Sequence, residues 1–341
     1  MSDDRGGAVE QRHLGKTGLS VSALGYGAGS VGGLFVRGDP QEQRRAIARA
    51  LDAGITYFDT APSYGDGRSE ENLGRVLRQL GAWNRVVVGT KVRLRRDDTR
   101  APGSAILASV RDSLRRLGRE SIDLLQFHNP IIGGGAAPLE TPSGGSVALD
   151  AMAAVTEGMR EAVRRGYAPH IGFTGLGEAG VLNTLVSEGR YDTVQAYFNA
   201  LNPSSGFPGA SGGAQDFQGL IDAAAGAGMG VIAIRVMAAG ALSARPERHP
   251  NAGDPGAPLT VGAGYQRDLD QARRLEALAG DLGLEGPLEL ALRFALAKSG
   301  ISTVLVGYSD VVQLEDAIRW TARGPLPKDS MRRIVEAAAS S

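Results

Sequence analysis

The alternation of short apolar runs with longer amphipathic segments constrains the fold of this chain more than any other feature. Eight runs rich in β-branched residues predict strands, and the segments between them have the 3.6-residue apolar spacing of helices. The predicted strands cover residues 23–26, 56–58, 86–90, 122–127, 170–173, 193–197, 231–234 and 303–306. The predicted helices cover residues 40–53, 69–80, 103–117, 147–166, 177–188, 217–228, 268–282 with 287–298, and 310–322. Eight strand–helix units predict an α/β fold in which one parallel sheet closes into a (β/α)8 TIM barrel.

Local signals place the start of this barrel. Asp39-Pro40 is typical of a helix N-cap followed by a proline in the first helical position. Residues 12–22 predict a small β-hairpin that turns at Lys16-Thr17-Gly18, ahead of the first barrel strand. We expect residues 1–11 to form a disordered N-terminal tail. Residues 12–341 are then a single barrel domain, a length that such barrels commonly reach.

Three Gly- and Pro-rich loops interrupt the pattern at residues 131–146, 202–216 and 245–264. Each follows a predicted strand, so we expect all three on the face of the barrel where active sites form. Because they are longer than most loops, mobile lids are the functional interpretation and plain disorder is the alternative.

Composition excludes several classes of protein. Lys+Arg and Asp+Glu both number 37, which argues against a nucleic-acid binder. The absence of cysteine excludes disulfides and thiolate chemistry, and the four histidines show no zinc-ligand spacing, so we expect no metal site. No apolar run is long enough for a membrane span, and the N-terminus lacks the apolar core of a signal peptide. We therefore expect a cytoplasmic enzyme without a membrane partner.

Four polar residues stand at or just after the ends of predicted strands: Asp59, Tyr64, Lys91 and His128. Reduction of a carbonyl needs a hydride donor and an acid that protonates the developing alkoxide. A tyrosine is a weak acid near neutral pH, but a neighbouring ammonium stabilises its phenolate form. Lys91 can supply that ammonium, Asp59 can hold it in place, and His128 can orient the carbonyl. Singly, each residue has a structural explanation as a cap, ion-pair partner or core residue, but the ordered set favours catalysis.

The segment from Tyr57 to Gly74, followed by Lys91 and His128, resembles the aldo-keto reductase superfamily. The resemblance runs from the Arg12 hairpin to the Gln313-Leu314-Glu315 segment and so covers most of the chain. It implies that Tyr64 is the proton donor, with Asp59, Lys91 and His128 in support. It also implies that the hairpin caps the bottom of the barrel.

A competing motif lies in the segment from Gly27 to Gly32, which matches Gly-x-Gly-x-x-Gly after a strand, as in a Rossmann dehydrogenase. A Rossmann helix begins at the glycines so that its N-terminus faces the pyrophosphate. Here seven residues intervene before the predicted helix at Pro40. We therefore expect Gly27 and Ala28 to let the backbone approach the nicotinamide end of a cofactor at a barrel mouth.

The resemblance also implies a dinucleotide site, from which this chain departs in places. Gln195 matches the family's carboxamide-binding glutamine, whereas Thr174-Gly175 replaces the usual Ser-Asn pair. Ile234-Arg235 stands where an aromatic residue and a serine are common, so Arg235 is a candidate clamp for the pyrophosphate. Backbone donors to the same phosphates are expected from Ala239, Gly240, Leu242 and Ser243.

The last unit bears on the choice between cofactors. NADP-preferring relatives carry a basic residue just after the strand glycine, whereas here Gly307 is followed by Tyr308-Ser309-Asp310, with Gln313 further on. Asp310 would repel a 2′-phosphate, while Ser309 and Gln313 remain usable. The cofactor is therefore NADP(H) or NAD(H), and the local charge favours NAD(H) or dual use.

These observations predict an NAD(P)(H)-dependent oxidoreductase that reduces an aldehyde or ketone. One alternative is an NAD-dependent aldose or alcohol dehydrogenase with the same four residues, and another is a non-catalytic nucleotide-binding barrel. The expected partner is a small carbonyl or sugar substrate. Arg93, Arg95 and Arg96 would suit an anionic substrate, although a solvated basic loop is the better explanation of the three from the sequence.

Overall fold

A computed structural model describes residues 8–135, 140–141, 144–255, 262 and 264–340. Its centre is a closed barrel of eight strands, all paired in parallel. In order around the barrel these are β3 (Leu24–Gly27), β4 (Tyr57–Asp59), β5 (Val87–Val92), β6 (Leu124–Phe127), β11 (His170–Gly175), β12 (Thr193–Tyr197), β13 (Gly230–Ile234) and β14 (Thr303–Gly307). The predicted (β/α)8 barrel is confirmed.

Helices follow the barrel strands and cover the outside of the barrel. Their bounds are α1 (Leu34–Arg37), α2 (Pro40–Asp52), α3 (Arg68–Gln79), α4 (Pro102–Leu117), α5 (Met152–Arg164), α6 (Ala179–Ser187), α7 (Leu220–Gly226), α8 (Tyr265–Asp281), α9 (Pro287–Ala297), α10 (Val311–Ala322) and α11 (Lys328–Ala339). None of the helices in the described part of the chain is long and apolar enough to cross a membrane.

Two helices were not predicted from the sequence, and the strand that contains Lys91 is longer than predicted. The four-residue α1 lies in the segment predicted to separate Gly33 from Pro40; it has no side-chain cap and is too short to show a period. The last helix, α11, was not predicted, although Met331, Ile334 and Ala338 form a buried face at helical spacing. Strand β5 runs on to Val92, so Lys91 lies inside a strand rather than after one.

The predicted helix at residues 147–166 begins later than expected. Its first residues form a short strand, β10 (Val147–Ala148), which pairs in parallel with β7 (Ile131–Ile132), and a 3-10 turn precedes α5. A further two-stranded pair, β8 (Glu140–Thr141) with β9 (Gly144–Gly145), lies between them in sequence. Residues 136–139 and 142–143 of the predicted lid lie outside the described residues.

The predicted hairpin is present as β1 (Gln11–His13) and β2 (Ser20–Ser22), paired antiparallel. Leu14 in its turn is fully buried and packs in a cluster with Tyr57, Val87 and Leu124, which begin or lie near the starts of barrel strands. The hairpin therefore closes the end of the barrel opposite to the strand C-termini.

Residues 8–11, which we assigned to a tail, are instead packed. The Val9 side chain is buried in the main core, and its amide donates to the Ala53 carbonyl at 2.9 Å. Gln11 already belongs to β1. Residues 1–7 lie outside the described residues.

The loop at residues 202–216 is described throughout and is bound to the barrel by its own polar side chains. Ser205 Oγ donates to the Tyr197 carbonyl at 2.6 Å, and Asn202 Nδ2 donates to the Gln215 carbonyl at 3.0 Å. Of the loop at residues 245–264, positions 256–261 and 263 lie outside the described residues.

Candidate active site

A cavity of about 690 Å³ opens at the C-terminal ends of the barrel strands. Every barrel strand, or the loop that follows it, contributes to its lining: Gly27, Asp59 and Tyr64, Arg93, His128, Thr174, Gln195, Arg235, and Gly307, in chain order. The sequence-predicted residues are thus brought together because parallel strands all present their C-termini to the same end of a barrel.

Lys91 and Asp59 form a buried ion pair beneath the cavity. The Lys91 ammonium donates to Asp59 Oδ1 and, at 2.9 Å, to the Thr60 carbonyl, and both side chains are 2% exposed. Burial lowers the pKa of Lys91, but the Asp59 carboxylate and Tyr64 together raise it by more. The pKa of Lys91 is therefore raised overall. Lys91 is therefore held as a cation in a position where solvent does not screen its charge.

Tyr64 lies between this cation and the cavity. Lys91 Nζ is 4.8 Å from the centroid of the Tyr64 ring. The His128 ring stands perpendicular to the Tyr64 ring, with 6.0 Å between centroids. A phenol, an imidazole and a buried ammonium thus converge on one part of the cavity wall.

His128 is neutral at neutral pH. Burial lowers the pKa of His128 well below its usual value, and the positive charges of Lys91, Arg93 and Arg235 lower it further. Its Nδ1 atom is buried and has no hydrogen-bond partner among the residues described here. A neutral imidazole carries one N–H, so His128 can donate one hydrogen bond to a ligand oxygen.

Asp59 is also held by an amide from the other side of the barrel. Gln195 Nε2 donates to Asp59 Oδ2 at 2.7 Å, and Thr174 Oγ1 donates to Gln195 Oε1 at 3.2 Å. The Tyr57 hydroxyl donates to Asp59 Oδ2 at 3.4 Å. Thr174 and Gln195, predicted as cofactor ligands, therefore line the cavity and also fix the carboxylate that holds Lys91.

Most of the predicted cofactor residues line the cavity, but three do not. Ala28 is buried, and its amide donates to the Asp59 carbonyl at 2.9 Å. The Leu242 side chain is fully buried in the main core. The cavity does include Gly27, Ala239, Gly240, Ser243, Gly307, Ser309 and Gln313.

The third exception is Asp310, which we expected to repel a 2′-phosphate and which is absent from the cavity lining. Asp310 Oδ1 instead accepts from the Gln313 amide at 2.8 Å and caps α10, while Oδ2 lies 3.3 Å from His249 Nε2. An N-cap role uses an aspartate oxygen for the helix itself. Asn199, which follows β12, is a turn residue: its Oδ1 accepts from the Leu201 and Asn202 amides.

Part of the loop at residues 245–264, which the sequence placed on the active-site face, lines the cavity; we call its residues 248–253 the strap. Arg248 donates to the Ala239 carbonyl at 2.9 Å, and the Gly253 amide donates to the Val31 carbonyl at 3.0 Å. Asn251 Nδ2 donates to the Ser309 carbonyl at 3.0 Å. The strap thereby joins the loops after β3, β13 and β14. In the sequence, its only signal was the length and the Gly/Pro-rich composition of the loop.

No group of three or more potential metal ligands lies together in the described ranges. A (β/α)8 barrel whose strand ends gather a tyrosine, a neutral histidine and a buried lysine at one mouth is an enzyme scaffold suited to proton transfer at a carbonyl. A family model described as "Aldo/keto reductase family" matches residues 23–339. This chain is therefore a member of that family of oxidoreductases.

Named relatives agree with this membership. The chain is 27% identical to an L-galactose dehydrogenase of Arabidopsis thaliana over 317 residues, which cover 91% of this chain and 87% of the relative. It is 28% identical to an L-glyceraldehyde 3-phosphate reductase of Escherichia coli K12 over 341 residues, covering 93% and 88%. The holo form of the aldo-keto reductase AKR11C1 from Bacillus halodurans has the same fold, with a TM-score of 0.70, 24% identity and coverage of 98% and 97%.

Proposed function

We propose that this protein uses NAD(P)(H) to reduce an aldehyde or ketone to an alcohol, with Tyr64 as the proton donor. The observation that carries the proposal is the position of Lys91. Its ammonium is buried, held by Asp59, and 4.8 Å from the centre of the Tyr64 ring. A cation in that place stabilises the phenolate that remains after Tyr64 has given up its proton.

The residues divide the work of the reaction as follows. When bound, the reduced dinucleotide supplies a hydride to the carbonyl carbon. The Tyr64 hydroxyl proton moves to the carbonyl oxygen, which becomes the hydroxyl of the alcohol. The neutral His128 donates a hydrogen bond to the same oxygen and so orients the carbonyl. Gln195 and Thr174 keep Asp59, and through it Lys91, in place.

The cavity fits a dinucleotide in its shape and in its backbone. Gly27 and Gly29 lie on its wall; a Cβ added to Gly29 would contact the Tyr64 ring at 3.7 Å. Ala238, Ala239 and Gly240 have φ of 46°, 58° and 99°, and the Ala238 and Gly240 amides donate to the Arg235 and Met237 carbonyls at 2.8 Å. The Ala239 amide between them is the candidate donor of this turn to an anion. We assign the pyrophosphate to this turn and to Ser243, and the ribose end to Gly307, Ser309 and Gln313.

The charges at the ribose end favour NAD(H) over NADP(H). The cavity wall formed by α10 and the preceding loop contains Ser309, Gln313, Asp316, Ala317 and Trp320, none of which is basic. Arg319, on the same helix, is engaged with Glu285 and Asp316. A 2′-phosphate dianion would therefore lie near the Asp316 carboxylate and find no basic side chain among these wall residues to bind it.

Replacement of Tyr64 by phenylalanine tests the proposal. We expect kcat to fall about 10²–10⁴-fold, since that is the usual contribution of general acid catalysis. Fluorescence titration with NADH and NADPH should give dissociation constants within a few-fold of wild type. Activity retained within a few-fold would remove Tyr64 from the mechanism, and absence of turnover by the wild type on every carbonyl tested would favour a non-catalytic barrel.

Oxidation of an aldose with NAD is a second candidate, because the same residues serve the reverse reaction and one relative is named an L-galactose dehydrogenase. In that direction the Tyr64 phenolate accepts the hydroxyl proton while hydride leaves the carbon. Initial rates with a panel of aldoses and NAD⁺, compared with aldehydes and NADH, separate the two candidates.

A further inference from the structure

Arg235 presents a half-buried cation to the reacting end of the cavity. Its guanidinium makes no hydrogen bond or ion pair with any residue in the described part of the chain, and it lines the same cavity as Tyr64 and His128. Burial lowers the pKa of Arg235, while Tyr197, Tyr64 and Asp268 raise it electrostatically. Removing a charge from water without a partner is unfavourable, so this position suits a cation whose partner is a ligand.

The backbone at Arg235 is also unusual. Its φ of 60° is left-handed, which is uncommon for a residue with a side chain, and its carbonyl accepts from Asn199 Nδ2 at 3.1 Å. Such conformations cluster at ligand-binding positions, where the surrounding structure holds them. The left-handed turn places an arginine in the wall of the cavity instead of the expected small hydroxyl residue.

A second arginine reaches the same place from across the barrel. Arg93 follows β5, and Arg235 follows β13; these are the third and seventh barrel strands, which face each other in a ring of eight. Arg93 lines the cavity, and its Nη2 donates to the His128 carbonyl at 2.9 Å. By contrast, Arg95 and Arg96 are exposed.

Both guanidinium charges act at the point where the carbonyl would be reduced. Each interacts electrostatically with Tyr64, and each contributes to the lowered pKa of His128. Among the acidic residues of the cavity wall, Asp59 is paired with Lys91 and Asp316 with Arg319, while Asp66, Glu247 and Asp254 are exposed. Asp268 interacts electrostatically with Arg235 but does not line the cavity. The shielded part of the cavity around Tyr64 therefore carries excess positive charge.

We propose that Arg235 and Arg93 bind an anionic group of the substrate, so that the preferred substrate is an aldehyde or ketone bearing a carboxylate or phosphate close to its carbonyl. This inference rests on the proposed carbonyl reduction and adds the substrate class. It assigns Arg235 to the substrate rather than to the pyrophosphate, because Arg235 lines the same cavity as Tyr64 and His128 and its charge interacts with both. The pyrophosphate belongs to the turn at Ala238–Gly240 that follows.

Matched pairs of substrates test the proposal. Succinic semialdehyde is compared with butanal for a carboxylate, and glyceraldehyde 3-phosphate with glyceraldehyde for a phosphate. We expect the wild type to prefer at least one charged member by about tenfold or more in kcat/KM, since charge-assisted hydrogen bonds are strong in shielded sites. The pair with the larger ratio identifies the anionic group.

Arg235→Gln should lower kcat/KM for the charged member about 10- to 100-fold and for its neutral partner less than threefold. Arg235→Lys keeps the charge, so its kcat/KM for the charged member should lie between those of the wild type and Arg235→Gln. Arg95→Ala removes an exposed arginine two residues from Arg93. It should leave the ratio of kcat/KM between charged and neutral substrates unchanged in both substrate pairs. Equal losses for charged and neutral substrates, or a weaker dinucleotide affinity with substrate selectivity retained, would overturn the proposal.

A binding measurement separates this proposal from the reaction itself. Calorimetric titration of the NADH-loaded protein compares 4-hydroxybutyrate with 1-butanol, neither of which reacts with the reduced cofactor. Binding of 4-hydroxybutyrate that is lost in Arg235→Gln supports the anion site even if the wild type turns over none of the four carbonyls. Turnover without any preference for charge retains the proposed reaction and rejects the anion site.

Discussion

At the scale of single residues, the buried pair of Lys91 and Asp59 links stability to chemistry. Both side chains are 2% exposed, so neither charge is well solvated. Each therefore depends on the other, and Asp59 depends further on Gln195. A buried charge whose partner is removed destabilises a fold far more than the intact pair stabilises it.

Asp59→Asn should accordingly lower the free energy of unfolding by about 3–5 kcal/mol, because it leaves the Lys91 ammonium buried and unpaired. The double variant Asp59→Asn with Lys91→Met should recover much of this loss but none of the activity. Urea unfolding checks the stability, and steady-state rates check the activity, of the wild type, the single variant and the double variant. Recovery of activity in the double variant would contradict the proposed role of Lys91.

The neutral state of His128 makes stability depend on pH. Because burial lowers the pKa of His128 in the folded protein, the unfolded chain binds a proton below about pH 6.5 that the folded chain does not. Stability therefore falls as the pH is lowered through that range. Between pH 7.5 and 5.5, the wild type should lose about 1 kcal/mol more than His128→Gln. Parallel urea-unfolding results for the two proteins would show that His128 titrates normally.

Some site residues were predictable from sequence and others were not, for a physical reason. Asp59 and His128 end or follow apolar runs, and a polar residue at the end of a buried strand stands out in the sequence. Arg235 was noted as a departure, but its left-handed backbone, and the lack of a hydrogen-bond partner for its guanidinium within the described residues, depend on neighbours distant in sequence. The second role of Asp310, facing His249, depends on a loop whose path no local pattern specifies.

At the scale of elements, α2 shows how far local signals reach. Asp39 was predicted as its N-cap, and Asp39 Oδ1 accepts from the Gln41 and Glu42 amides at 2.8 and 3.2 Å. Asp39→Ala should therefore destabilise the protein by about 1 kcal/mol without changing kcat/KM, since the cap satisfies otherwise unpaired helix amides. Asp39→Ser, which keeps a capping oxygen, is the control, and the urea midpoint is the measurement.

The strap combines hydrogen bonds within the segment with tertiary contacts to the rest of the molecule. Arg37 of α1 donates from Nε to the Asn251 carbonyl at 2.8 Å and from Nη2 to the Ser30 carbonyl at 2.5 Å. A four-residue helix without a capping side chain thus carries one anchor of the strap. Neither α1 nor this contact has a periodic signal in the sequence.

Arg37→Ala should therefore speed dissociation of the dinucleotide, by about tenfold for two lost hydrogen bonds of ordinary strength. Arg44→Ala, an exposed arginine of α2, should have no effect. Stopped-flow fluorescence with NADH measures the dissociation rate directly. An unchanged rate in Arg37→Ala would mean that the strap does not retain the cofactor.

At the scale of the whole molecule, the two ends of the barrel have different tasks. The hairpin and Leu14 close the bottom, while the cavity opens at the top. The eight strand–helix units in the sequence predicted this arrangement, because their apolar pattern extends over the whole barrel. It did not predict the packed start at Val9, since a single buried side chain in a polar segment has no period.

Leu14→Ala tests this separation of tasks. Leu14 is fully buried at the bottom, so its truncation should lower the free energy of unfolding by about 2–5 kcal/mol. At a temperature where the variant remains folded, kcat/KM should stay within about twofold of wild type, because the substitution leaves the top face, where the active site lies, unchanged. A large loss of kcat/KM in folded protein would show that the two ends are coupled.

The strap has a consequence for how the protein responds to temperature. Its anchors lie on α1 and on the loops after β13 and β14, so opening of the strap requires several hydrogen bonds to break together. Simultaneous loss of many contacts gives a step a large activation enthalpy. Where strap opening limits turnover, the rate rises steeply on warming, and a cooled enzyme holds its cofactor while catalysis at Tyr64 is still competent.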